Sequence, residues 1–237
     1  MLLLIFQGYT FSIPFIEKLR INLMMKTIIL LCLCIYSVFA FPNGHSGAVQ
    51  SLVKSLTECN DLFFSNISKY KNELIPNVPI EEISDQLAYI PVKNRKMHNA
   101  NYVQFAQPIR YGSLIINGYY DNSLNLGKRG DYYFWGFVID NSLEEIRSEL
   151  NFLSWTEIEK DSLYTFNLKI HRSEDSIETW HNNPNTNIGI KTMPTQGTAE
   201  KLLLLEKTPD ATYLVCSLQG YFPPEVLAII RPDIVNQ

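Results

Sequence analysis

From Val49 onward the apolar residues fall at Val49, Leu52, Val53, Leu56, Cys59, Leu62 and Phe63. That spacing lays them along one stripe of a helix. Pro76 and Pro79 close the segment. Ile80, Ile83 and Leu87 predict a second, shorter helix that ends at Pro91. A polar, basic link follows over 91–101, and then the period changes. Residues 102–105 and 113–120 read as strands, with Asp121-Asn122-Ser123 and Gly127-Lys128-Arg129-Gly130 as turns. Residues 131–139 carry large groups on both faces and predict a strand. Ser142 with Glu145 makes a capping box, and Leu143, Ile146, Leu150 and Leu153 form one face of the helix it opens.

In the next strand Tyr164, Phe166, Leu168 and Ile170 alternate with Thr165, Asn167 and Lys169, so one face is apolar and the other polar. Residues 181–197 form a loop rich in Asn, Pro, Thr and Gly. Three closing strands are expected at 201–206, 212–218 and 226–231, joined by turns at Pro209-Asp210 and at Gly220 with Pro223-Pro224. The expected fold is α+β: a mainly antiparallel sheet or barrel, with helices over 46–90 and strands over most of 101–231.

The segment before this domain changes its context. Met25-Lys26 precedes an unbroken apolar run from Ile28 to Ile35, and Val38-Phe39-Ala40 precedes the polar, turn-rich Phe41-Pro42-Asn43-Gly44. Charged start, short apolar run and small-residue site are the parts of a signal peptide. The run is shorter than the ~20 apolar residues that span a bilayer. Residues 25–40 are therefore expected to be a signal peptide, 1–24 an upstream extension, and 41–237 a single secreted domain.

Export gives the cysteines a meaning. Cys32 and Cys34 lie within the signal, which leaves Cys59 and Cys216 as a pair expected to form a disulfide. Asn66-Ile67-Ser68 is a sequon that export makes usable for glycosylation. Without residues 1–40 the chain holds 17 basic and 23 acidic residues, a formal charge of −6. Its longest basic cluster is Lys93-Asn94-Arg95-Lys96. Nucleic acid and anionic membrane are thus not expected as partners.

Local catalytic signatures are missing. The four histidines, His45, His98, His171 and His181, form no H-E-x-x-H spacing, and there is no C-x-x-C or G-x-S-x-G motif. His171-Arg172-Ser173-Glu174-Asp175 reads as a solvated turn. Glu144, Glu145, Glu149, Glu157 and Glu159 read as the outer faces of a helix and a strand. No metal, cofactor or catalytic residue is expected, and the chain is read as a non-enzyme. The remaining candidates are aromatic and apolar. Tyr133, Trp135 and Phe137 share one face of their strand, and Tyr164, Phe166 and Leu168 share a face of theirs. Such faces line a ligand pocket if the sheet cups around an open centre.

The closing segment resembles the lipocalins. Thr208, Asp210 and Tyr213 are similar to that family's T-D-Y turn, and Arg231 to the arginine that ends the following strand. Cys216 lies where arthropod lipocalins often place a cysteine. The likeness covers residues 201–231, and the G-x-W motif that opens the lipocalin barrel is absent. It implies a barrel around a small hydrophobic ligand, so the first expectation is extracellular binding or transport of such a ligand. A secreted interaction factor with a filled core, acting on another secreted protein, is the alternative. An enzyme without a local signature is a third.

Overall fold

The computed structural model describes residues 47–183, 185 and 192–235. The signal peptide, the upstream stretch, His45 and part of the 181–197 loop lie outside them. Two helices open the described chain, α1 (Gly47–Thr57) and α2 (Leu62–Lys69), followed by the single turn α3 (Lys71–Leu74). The stripe read as one helix is broken because Cys59 adopts a left-handed φ of 51° and carries the disulfide to Cys216. Both constraints stop the helix and re-aim the chain.

Residues 80–91 correct the second helical expectation. They form a hairpin, β1 (Glu81–Ser84) with β2 (Leu87–Tyr89), turning at Asp85-Gln86. Ala88 and Ile90 are both buried, a period of two that outweighs the helical spacing of Ile80, Ile83 and Leu87.

The remaining strands are β3 (Tyr102–Tyr111), β4 (Leu114–Asn125), β5 (Asp131–Ile139), β6 (Thr156–Glu159), β7 (Leu163–Arg172), β8 (His181–Asn182), β9 (Thr198–Lys207) and β10 (Thr212–Gly220). They form one antiparallel sheet in the order β3-β4-β5-β10-β9-β7, and β6 and β8 both pair the outer edge of β7. The sheet is open and does not close into a barrel. Asp121-Asn122-Ser123 is no turn: β4 runs through it, and the reversal is the 3-10 turn Gly127–Arg129. The capping box at Ser142 and Glu145 opens α4 (Leu143–Glu149). The last expected strand is instead a helix, α5 (Pro224–Ile230), with α6 (Pro232–Val235) after it. Pro224 at the first turn is preset for a helix, and Val226 and Ile230, four apart, are the residues it buries.

One face of the sheet is covered by α1 and α2. Leu52, Leu56, Phe63 and Phe64 pack with Tyr119, Trp135, Phe137, Leu203, Leu205, Leu214 and Cys216. The disulfide, spanning 157 residues of sequence, ties the end of α1 to β10 within this layer. The opposite face carries a smaller cluster of Leu163, Leu202, Leu204 and Val215. On that face Glu200 is buried opposite Gln219, its register partner.

A buried ionic quartet locks the C-terminal helices to the sheet. Arg231 donates from Nη2 to Asp121 Oδ2 at 2.7 Å and grips Asp233 through Nε and Nη2 at 2.9 and 2.8 Å. Arg95 donates from Nε to the same Asp121 oxygen and from Nη2 to Asp233 Oδ2, both at 2.8 Å. The Arg231 guanidinium lies 4.7 Å from the Trp135 ring centre and 5.6 Å from that of Phe64.

Two predictions follow from this packing. Arg231→Met leaves two buried carboxylates sharing Arg95 alone, and should cost about 3–5 kcal/mol of stability by chemical denaturation. Burial, opposed by the Gln219 amide, raises the Glu200 carboxyl from 4.5 to about 7. Between those values the folded chain holds a proton that the unfolded chain releases. Stability should therefore be greatest at the acid end and fall as pH rises through that window, by on the order of 2–3 kcal/mol. Lys201, lowered to about 8 by burial, stays charged in both states over that range. Denaturation of wild type and Glu200→Gln at pH 5 and 7.5 checks this: the difference between the two proteins should change with pH by that amount.

Candidate functional site

The six aromatic and apolar candidates separate in the structure. Trp135 and Phe137 are fully buried. Trp135 lies under Arg231, and Phe137 has its ring centre 5.9 Å from Phe63 and 6.4 Å from Tyr119. The helical layer occupies the space in front of them. Tyr133 is half-buried beside Phe222 and lines a surface cleft with Lys93, Arg95 and Lys96. Tyr164 is buried, donates to Glu157 Oε1 at 2.9 Å, and has Arg147 4.2 Å over its ring. Phe166 and Leu168 meet in a third place, an edge of the sheet.

That edge is shaped by a bulge. Tyr164 and Phe166 do share the helix-covered face, opposite Leu205 and Leu203. The register then shifts between Phe166 and Lys169, and Asn167 takes a φ of 55°. Asparagine tolerates this left-handed conformation better than most residues. The extra residue turns Leu168 to the opposite face, where it packs on the smaller cluster. The unbroken apolar alternation from Tyr164 to Ile170 is therefore corrected at its middle.

The bulge coincides with a gap in strand pairing. β6 pairs β7 only as far as Thr165, and β8 begins at Lys169. Between them the outer edge of Phe166, Asn167 and Leu168 is left as a notch, whose far side is closed where the Asn183 N–H donates to the Leu168 carbonyl at 2.9 Å. The cleft there has a volume of about 240 Å³ and is lined by Ser154, Thr156, Thr165, Phe166, Asn167, Leu168, Asn182 and Asn183.

The polar groups of the notch are mostly anchored. Thr165 donates to the Leu203 carbonyl at 3.0 Å, and Asn182 Oδ1 accepts from Lys169. Asn183 Oδ1 accepts from the Asn185 N–H at 3.1 Å, which fixes the amide and leaves Nδ2 buried with no hydrogen-bond partner. Trp155 stands behind Phe166 with ring centres 6.4 Å apart and the planes at 61°. The lining residues carry no ionisable group, so the site offers neutral hydrogen bonding beside one aromatic ring and one aliphatic side chain.

The other expected sites are placed as follows. Cys59 and Cys216 are bonded. Asn66 is half-buried within α2, and Ser68 of its sequon is buried and donates to the Asp85 carbonyl at 3.0 Å. His171 is buried, contrary to the solvated turn expected of it. Its Nδ1 donates to the Thr179 carbonyl at 2.9 Å, and its ring lies against Trp180. Groups of three or more metal-ligating side chains are absent among the described residues. Sequence reasoning missed Asn183, Asn167 and Thr165. The asparagine run from residue 182 was the available signal, and it was legible only as a loop.

Comparison with known protein families, curated proteins and solved structures finds no match to this chain.

The bulge can be tested directly. Asn167→Gly should leave stability unchanged within about 0.5 kcal/mol, because glycine adopts the same φ freely. Asn167→Val should cost about 1–2 kcal/mol, the penalty of a left-handed conformation for a side chain branched at Cβ. Thermal denaturation of the two variants separates these outcomes.

Proposed function

We propose that the chain is a secreted binding protein that takes a small ligand in the notch at the bulge of β7. The observation that carries this is the gap in strand pairing at the bulge, which leaves an open cleft of about 240 Å³ lined by Phe166, Leu168 and neutral hydroxyl and amide side chains. The likeness of residues 201–231 to lipocalins implies a central site. An open sheet has no such enclosure, so the binding reading moves from the centre of the sheet to its edge. Secretion draws on the signal-like segment, and the Cys59–Cys216 bond is consistent with an oxidising compartment.

The filled helical face favours a second reading, a secreted interaction factor with no small ligand. The two separate on one experiment. The chain is expressed through a secretory route, and the purified protein is analysed by native mass spectrometry and by tryptophan fluorescence during titration with a library of small metabolites. A bound molecule, displaced in Asn183→Leu and in Phe166→Ala, is the expected result, with a fluorescence change from Trp155. A protein with nothing bound, and no response from Trp155 to any compound, would overturn the notch as a ligand site and leave the interaction factor.

A further inference from the structure

We propose that a second cleft, separate from the notch, takes a small organic cation, an amine or guanidine, between Asp131 and His171. The cleft lies at the end of the sheet where β4 turns into β5, β7 and β10 stop and β9 starts. Its volume is about 450 Å³, within the ~300–1,000 Å³ of small-molecule sites. Glycines of these turns, Gly127, Gly130, Gly197 and Gly220, form much of the wall, so few side chains fill it. Asp131, Gly220, Ala199 and His171 are register neighbours across β5, β10, β9 and β7. Acid and imidazole thus share one row on one face of the sheet, with three strand spacings, roughly 14 Å, between their Cα atoms. The two positions between them on that row carry the smallest residues, Gly and Ala.

His171 gives the first indication of what binds. It is 2% exposed. Its Nδ1 donates to the Thr179 carbonyl at 2.9 Å, which leaves Nε2 as the acceptor of the neutral ring. Nε2 makes no hydrogen bond, yet it is not among the unpartnered polar atoms shut off from solvent. The ring therefore opens at this atom on the cleft that it lines. Asp131 supplies the second acceptor. Its Oδ1 accepts from Asn125 Nδ2 at 2.6 Å, and no cation pairs with it among the described residues. Lys128 and Arg129, in the adjoining turn, are exposed and do not line the cleft. The lining thus holds a carboxylate, an imidazole acceptor and no cation, while the Ser173 hydroxyl serves as donor or acceptor alike. An anion would meet Asp131 uncompensated. A purely apolar ligand would cover both acceptors without pairing either. A cationic N–H donor satisfies the carboxylate through a charge-assisted bond and offers further N–H groups to Nε2. Tyr221 and Phe222 give its carbon skeleton an aromatic wall.

The test is calorimetric titration of the full secreted chain with propylamine, putrescine, agmatine, benzylamine and arginine methyl ester, and with butyrate and butan-1-ol as anionic and neutral counterparts. Binding of at least one amine or guanidine is expected, with neither counterpart binding. Asp131→Asn keeps an acceptor for Asn125 and removes the charge. His171→Asn keeps a donor for the Thr179 carbonyl and removes Nε2. Each should weaken binding about tenfold or more, with melting temperatures close to that of the parent. Should His171→Asn fail to fold, Asp131→Asn alone decides, because Asp131 is half-buried at the end of its strand. Ser148→Ala, outside the cleft, should bind as the parent does. If no amine or guanidine binds, if butyrate or butan-1-ol binds as well as they do, or if binding ignores Asp131, the assignment is overturned. These outcomes do not touch the notch, which shares no lining residue with this cleft.

Discussion

Arg231 is the joint on which the domain turns. It arrives at the end of α5 with no water to solvate it, and it is tolerated because two carboxylates meet it, Asp121 from 110 residues away and Asp233 from two residues on. Asp121 comes from the middle of β4, Asp233 from the first turn of α6, and Arg95 from the link after the hairpin. Charges so deeply buried are stable only when each finds its opposite. The quartet therefore dictates where three otherwise unconnected segments sit. It also explains why β4 passes straight through a sequence that reads as a turn: Asp121 is held in the strand by two guanidinium groups. The guanidinium plane then lies over Trp135, so the same residue that fixes the C-terminus also seals the centre of the aromatic face.

With that face sealed, the accessible clefts lie elsewhere. α1 and α2 bring Phe63 and Phe64 onto the sheet, and the disulfide holds the end of α1 there. One of them lies at the margin of the sheet, where two short strands fail to meet along β7. Edges are usually protected against pairing with other chains. This one is protected by being interrupted, and the interruption is also what creates a small walled cleft. The interrupted edge and the cleft thus share one cause, the bulge at Asn167.

The α+β class was legible because long strands announce themselves by β-rich runs and turn signals; 131–139 is a strand as read, and the strands expected at 201–206 and 212–218 lie within Thr198–Lys207 and Thr212–Gly220. The capping box at Ser142 and the pairing of Cys59 with Cys216 were legible because each depends on few residues. Failures came where tertiary contacts override local pattern. Residues 80–91 are too short to separate helical from alternating spacing, and packing of Ala88 and Ile90 decides for the hairpin. Val226–Arg231 has the apolar content of a strand, but the prolines before it and the ionic quartet after it favour a helix. The notch was invisible because its residues come from three separate stretches of the chain, and its defining feature is a register shift of one residue.

The 157-residue separation of the two bonded cysteines also has a consequence for biosynthesis. A ribosome adds roughly 5–20 residues per second, so Cys59 waits about 8–30 s before its partner is made. Through that interval α1 and α2 have no sheet to cover, because β5, β9 and β10 must all exist before the aromatic face is complete. The apolar stripe of Leu52, Leu56 and Phe63 is exposed on a growing chain for most of its synthesis. The cover of α1 and α2 is thus completed only after β10 has been made.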